Sequence, residues 1–191
     1  MSNETSKCYV RRYAQGHLQK LQGEGLDVGG GADAINLPWA DIRLWDKKNG
    51  DGDAQTLDTL KDNYFDFLYS SHTLEHMKNP VAALNRWIDV VKPEGYLYVA
   101  VPDYDLYEGG DGIKNGFHKC AFTMTRPSNG KVPLVNVFDL LLGTISNRVA
   151  VLYVGLCDEN FDYSLGKEVD QTKKQAVCHI EFMLQKRTED V

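Results

Sequence analysis

Gly25-Leu26-Asp27-Val28-Gly29-Gly30-Gly31-Ala32-Asp33-Ala34 is the stretch on which the reading of this chain turns. Residues 25–28 read as a short buried strand, and three consecutive glycines end it. Glycine has no Cβ, so such a turn can be tight and lets backbone approach whatever binds there. A strand, a glycine turn and then a helix would open a nucleotide-binding α/β unit. Upstream, Val10, Tyr13, His17, Leu18 and Leu21 recur at helical spacing before Gly23, which predicts a short amphipathic helix leading into the domain. Downstream, Ile42 to Asp46 reads as the next strand with an acid at its end, and Asn49 to Gly52 as a polar turn. The link between these strands is short, so any helix in it must be brief.

Phe65 to Ser70 is aromatic-rich, as a central strand should be, and runs into Ser71-His72-Thr73-Leu74-Glu75-His76. Asn79 as N-cap, Pro80 at the first helical position and a stripe of Val81, Leu84, Ile88 and Val91 predict a helix that stops before Pro93 and Gly95. Tyr96 to Val101 is the following strand. This alternation favours a mostly parallel sheet with right-handed crossovers. The segment from Asp103 to Val132 is rich in Gly, Asp, Lys and Asn and too long for a simple connection, so it reads as a lid or substrate platform. Leu134 to Ile145 is expected to form a packed helix. Arg148 to Leu156 and Ala176 to Gln185 are expected to form an antiparallel strand pair.

With 191 residues, 42% of them hydrophobic and 25% charged, the chain suits one folded domain spanning 1–191. A net charge of -6 has the wrong sign for a broad nucleic-acid surface. No apolar run approaches the roughly 20 residues that cross a bilayer, and the start MSNETSKCYVRR is polar, so no membrane insertion and a cytoplasmic location are expected. Cys8, Cys120, Cys157 and Cys178 are scattered without metal-ligand spacing. Reduced thiols and no bound metal are the expectation.

Gly29 to Ala34 fits the G-x-G-x-x-G/A fingerprint, with Asp46 seventeen residues after Gly29 in the place of a ribose-binding acid. Taken alone, that pattern would serve an NAD(P)-dependent oxidoreductase equally well. The series of Leu26 to Gly31, Asp46, Gly52-Asp53-Ala54, Phe65 to His76 and Val91-Lys92-Pro93-Glu94-Gly95-Tyr96-Leu97 resembles the class I S-adenosylmethionine-dependent methyltransferases, most closely a compact methyltransferase type 11 branch. The resemblance covers Gly25 to Asp103. Beyond it, Asp105 to Glu108, His118-Lys119 and the terminal strand pair look like a subgroup associated with surface-polysaccharide gene clusters. It implies a Rossmann-like α/β fold with a mostly parallel sheet and a C-terminal antiparallel strand pair, and methyl transfer to a small-molecule or glycan acceptor, with oxygen favoured.

The resemblance also implies roles. Backbone amides of Gly29, Gly30 and Gly31 would meet the methionine moiety of S-adenosyl-L-methionine, Asp27 its ammonium group, Asp46 the ribose, and Asp53 with Ala54 the adenine. Ser70, Ser71 and His72 would line the cofactor floor. Asp103, Tyr104, Tyr107 and Lys119 would face the acceptor. Methyl transfer is an in-line displacement governed largely by positioning, so a protein base is optional; His72 and His118 are the candidates for one. Glu75 and His76 read as structural, as do His17 and His179, while Trp39, Trp45 and Trp87 read as core or rim. Asp33 departs from the family pattern, which often has glycine there; a carboxylate at this position should face outward or cap the next helix. That departure and the abbreviated first half motivate the other alternative, a non-catalytic cofactor-binding protein. The charge run from Lys186 to Asp190 reads as a solvated tail.

Overall fold

A computed structural model describes residues 3–128 and 133–188, which leaves part of the 103–132 loop and of the 186–190 charge run outside the described residues. The elements run α1 (Glu4–Ala14), β1 (Gly23–Val28), β2 (Ala40–Trp45), β3 (Phe65–Ser71), α2 (Pro80–Val90), β4 (Val91–Pro102), β5 (Ala121–Thr123), β6 (Leu134–Asn136), β7 (Val149–Cys157) and β8 (His179–Lys186). Six strands form one sheet in the order β2-β1-β3-β4-β8-β7. The first four are parallel, and β8 is antiparallel to both β4 and β7. The sheet is therefore mostly parallel with a C-terminal antiparallel pair, as the sequence predicts. β5 and β6 form a separate parallel pair.

Helix α2 follows its sequence signals closely: Asn79 Oδ1 accepts from Ala82 N at 3.0 Å, and Leu84, Trp87 and Ile88 are fully buried on one face of the sheet. On the other face, Leu18, Leu21, Ile35, Leu37, Phe67, Tyr69, Tyr98 and Met183 form a second core cluster. Three expectations change. The expected helix after the glycine turn is a single 3-10 turn, Gly31–Asp33, because the link to β2 is short and carries Pro38. Leu134 to Ile145 is not one helix but β6 followed by a π-helical turn, Asp139–Thr144. Asn136 Oδ1 accepts from Phe138 N and Asp139 N, which turns the chain between the two.

The N-terminal helix also differs. It ends at Ala14, and Gly16 at φ 77° redirects the chain before Leu18 and Leu21 enter the core. Its anticipated apolar face points outward, with Val10 78% and Tyr13 48% exposed, while Cys8 and Arg12 are buried. Polar contacts explain the inversion. Asp33 caps the helix from a distance, accepting from Thr5 N at 2.7 Å and Ser6 N at 3.2 Å, so this carboxylate serves α1 rather than a following helix. Arg12 reaches through the interface to Glu181 Oε1 at 2.7 Å and to the Tyr69 hydroxyl. Arg11 closes a two-pronged contact on the same carboxylate at 2.7 and 2.8 Å, and Tyr98 Oη donates to it at 2.6 Å.

Removing one partner of a buried ion pair strands the other charge, at a cost of about 3–5 kcal/mol. Glu181→Ala should accordingly lower the urea midpoint sharply, whereas Val10→Ala should shift stability by no more than about 0.5 kcal/mol. Equal midpoints for Glu181→Ala and wild type would remove this cluster as the anchor of α1.

Candidate active site

The carboxyl ends of β1, β2 and β3 converge on the glycine turn. Gly29 N donates to Trp45 O at 2.9 Å, which joins the turn to the end of β2. Gly29 has φ 82°, and a Cβ there would collide with the side chain of Thr73. A Cβ at Gly30 would strike the Asp27 carboxylate, and one at Gly31 would lie 3.3 Å from Asp46 Oδ2. The three glycines are thus a cradle bounded by two carboxylates and a threonine, with no side chain of its own. Asp27 is fully buried; its Oδ2 accepts from Ile35 N at 2.8 Å, and its Oδ1 has no partner among the described residues. Burial, with Asp33 and Asp46 nearby, pushes its carboxyl up to about 7.

Asp46 caps the short turn after β2 through Lys48 N at 2.8 Å, and its own N–H donates to Asp51 Oδ2 at 3.0 Å. The next turn packs onto the same strand end, since a Cβ at Gly52 would meet the Trp45 ring. Asp53 Oδ1 accepts from Gln55 N at 2.8 Å, and Ala54 O accepts from Trp87 Nε1 at 2.8 Å. Ser70 Oγ donates to Val28 O at 2.9 Å, tying β3 to β1 beneath the turn, and Ser71 Oγ is buried without a partner among the described residues.

Just beyond β3, Thr73 touches the glycine turn on one side and belongs on the other to a group of histidines and carboxylates. His72 takes φ 56° and turns inward, its Nε2 lying 3.2 Å from His179 Nδ1. Burial, reinforced by His179, drives His72 down to about 3. His179 Nε2 lies 2.9 Å from Glu181 Oε1; against the penalty of burial, hydrogen bonds to Cys157, Cys8, Glu181 and Glu4 hold this imidazole well above its ordinary value. The group from Glu75 to His118 is more open. Glu75 is 1% exposed, and among the described residues no other residue donates a hydrogen bond to either carboxylate oxygen. Its Oε1 lies 3.8 Å from His76 Nε2, 3.8 Å from His118 Nε2 and 4.0 Å from His72 Nδ1. Burial pushes Glu75 up to about 8.

His118 is oriented by Glu108, whose Oε1 accepts from Nδ1 at 2.6 Å, and Tyr107 stacks on its ring at 5.5 Å. The long segment therefore brings His118 and Tyr107 to His72 and Glu75. Of the other expected acceptor residues, Asp103 turns its Oδ1 to the N–H groups of Asp105 and Leu106, and burial pushes its carboxyl up to about 6. Tyr104 packs with Ala121 and Leu134 and accepts from Gly112 N. Lys119 is exposed, and its backbone N–H donates to Glu75 O at 2.7 Å. Sequence reasoning underweighted Glu75, His76 and Glu108. Their signal lay in side-chain type alone, because Glu75 and Glu108 meet only through the tertiary fold.

Asp27 remains protonated in the folded chain up to about pH 7 while an unfolded carboxyl ionises from the ordinary value of 3.8 upward, so its contribution to stability falls as pH rises between these values. Urea unfolding at pH 5 and pH 8 should show a smaller loss for Asp27→Asn than for wild type. Identical losses would refute the shifted carboxyl.

Comparisons with known proteins support the fold. Residues 31–99 match the family model for a methyltransferase domain. No curated protein sequence matches the chain. Among solved structures, a SAM-dependent methyltransferase from Methanosarcina mazei superposes with a TM-score of 0.53 at 15% identity, covering 93% of this chain and 98% of that one. A Bacillus halodurans methyltransferase candidate gives 0.55 at 15% identity, covering 88% and 94%. The [4+2]-cyclase SpnF gives 0.55 at 14% identity, covering 96% and 82%. Residues 31–99 thus match a methyltransferase domain, and the chain shares the fold of S-adenosylmethionine-dependent methyltransferases.

Proposed function

We propose that this methyltransferase acts on a hydroxyl oxygen of a small-molecule or glycan acceptor, and that residues 103–132 form the platform on which the acceptor lies. The observation that supports the reading is the contact of Thr73 with Gly29, since Thr73 belongs to the same short turn as His72 and Glu75, on which His118 and Tyr107 pack. Donor and acceptor sites that share a wall suit a reaction governed by near-attack geometry.

The residues present fit the methyl donor. The unpartnered Oδ1 of Asp27 suits an ammonium group, the side-chain-free cradle suits close contact with backbone amides, and Asp46 at its rim suits a ribose diol. Asp53 and Ala54 are assigned to the adenine, and Ser70 and Ser71 to the floor. When bound, S-adenosylmethionine supplies a sulfonium methyl group open to in-line displacement. The chain's own work is then to orient and to exclude water. We assign His118, whose ring Glu108 fixes, to the face that meets the acceptor hydroxyl. His72 is a positioning residue behind it, since its Nε2 is engaged by His179. Tyr107 walls the acceptor, Lys119 is available to an anionic one, and Asp103 with Tyr104 supports the platform. Surface-polysaccharide biosynthesis in the cytoplasm is the setting suggested by the family resemblance, and the four unpaired cysteines are in keeping with a reducing compartment. Among the described residues no helix is long and apolar enough to cross a membrane.

Calorimetry with S-adenosylhomocysteine should show Asp46→Asn binding at least about tenfold more weakly, as expected when a charged hydrogen bond to the ribose is weakened. Affinity of the wild type should tighten as pH rises through about 7, because an ammonium group favours the ionised Asp27. Unchanged affinity in a folded Asp46→Asn protein refutes the ribose assignment. For the acceptor, incubation with methyl-labelled donor and fractionated glycan and small-molecule extracts should yield label as an alkali-stable methyl ether. Label only on nitrogen or carbon would overturn the choice of oxygen, and thermal stabilisation by NADH instead of the methyl donor would favour the nicotinamide alternative.

A further inference from the structure

We infer that Glu75, His76 and His118 form a binding site for a divalent transition-metal ion on the acceptor side of the cradle, although the sequence offers no spacing that predicts one. One oxygen or nitrogen from each of the three lies within 4.8 Å of the others. Glu75 supplies a carboxylate that is 1% exposed and to which no other described residue donates a hydrogen bond. A buried charge of that kind is stable only beside a compensating cation or when neutralised.

The two imidazoles are arranged as ligands are. His118 directs Nδ1 to Glu108 Oε1 at 2.6 Å, and His76 directs Nδ1 to Phe117 O at 3.1 Å. Acceptors at both Nδ1 atoms fix the N–H there and turn both Nε2 lone pairs toward Glu75 Oε1, each at 3.8 Å. A metal-bound histidine characteristically donates its remote N–H to a carboxylate or carbonyl in this way. Donors bound at about 2.0–2.2 Å with tetrahedral angles sit about 3.4 Å apart, so each imidazole must close by roughly half an ångström on Glu75, and the two imidazole nitrogens, which lie within 4.8 Å of each other, must draw together to the same spacing. His76 lies at the end of a one-turn helix with its side chain 38% exposed and is placed to make that adjustment. Asn115 Nδ2, 3.0 Å from His118 Nε2, now donates to that lone pair and is the group an ion would displace.

Two histidines and one carboxylate with an open position suit zinc and its neighbours in the first transition row more than magnesium or calcium, which prefer all-oxygen sites. Thr73, which touches Gly29, lies two residues before Glu75, so the ion would sit on the stretch of chain that leads away from the cradle. There the ion would hold and polarise the acceptor oxygen, which would then meet the metal in place of His118 Nε2. That role rests on the methyl-transfer reading above; the ion site rests only on the three side chains and their partners.

The test is uptake of zinc and of cobalt by chelator-treated full-length protein, followed by calorimetry and, for cobalt, by visible absorption. One equivalent should bind. His118→Ala and Glu75→Gln should abolish binding, and Glu108→Gln should weaken it by about 10–100-fold. Because the buried variants can fail to fold, His76→Asn at the half-exposed position provides a second measurement and should lose most of the affinity while retaining wild-type circular dichroism. Absence of saturable uptake by wild type below about 1 mM, or uptake unchanged in His76→Asn and Glu108→Gln, overturns the site. Methyl transfer unaffected by metal removal, with binding intact, would overturn only the role at the acceptor oxygen. Metal binding with no methyl transfer to any oxygen would leave the site standing and refute the acceptor reading.

Discussion

The buried carboxylate of Glu181 is the constraint around which the antiparallel half of the sheet and the N-terminal helix are arranged. It is fully inaccessible and collects Arg11, Arg12, Tyr98 and His179. A charge in that position is tolerable only because donors surround it; burial alone would raise its pKa, whereas Arg12, Arg11 and His179 hold it well below the ordinary carboxylate value. Satisfying it dictates which face of α1 is buried. The helix turns its arginines inward and leaves Val10 in solvent, against the hydrophobic pattern of its own sequence.

The same carboxylate is linked to the candidate site. Glu181 holds His179, and His179 lies against His72, so the antiparallel strand β8 reaches beneath the turn that follows β3. A chain of side chains therefore runs from the helix anchor to the edge of the glycine cradle. On the cradle's other flank, Asp33 caps α1 from within the turn after Gly30. Asp33 and Glu181 thus hold the N-terminal helix against both the glycine turn and β8.

The fold itself does not settle the reaction. A [4+2]-cyclase and methyltransferases share this architecture at similar TM-scores, in keeping with the general rule that function resides in sites rather than in folds. In this chain the turn that carries Thr73 gathers a group of titratable side chains. Glu75, His72, His76 and His118 crowd around one carboxylate oxygen, with Glu108 and Tyr107 behind them.

Local signals in the sequence determined much of the architecture: the strand ending in Gly29-Gly30-Gly31, the acid after β2, the Asn79-Pro80 start of α2 and the terminal strand pair are all written within a few residues of where they act. Spacing within a strand or turn is set by covalent geometry and short-range hydrogen bonds, and these are legible without the fold. The tertiary structure alone decided which face of α1 is buried and that Glu108 and His118 from the long loop meet Glu75 from the β3 turn. Those outcomes depend on desolvated charges finding partners far away in the chain, and no local pattern records a partner that only packing brings near.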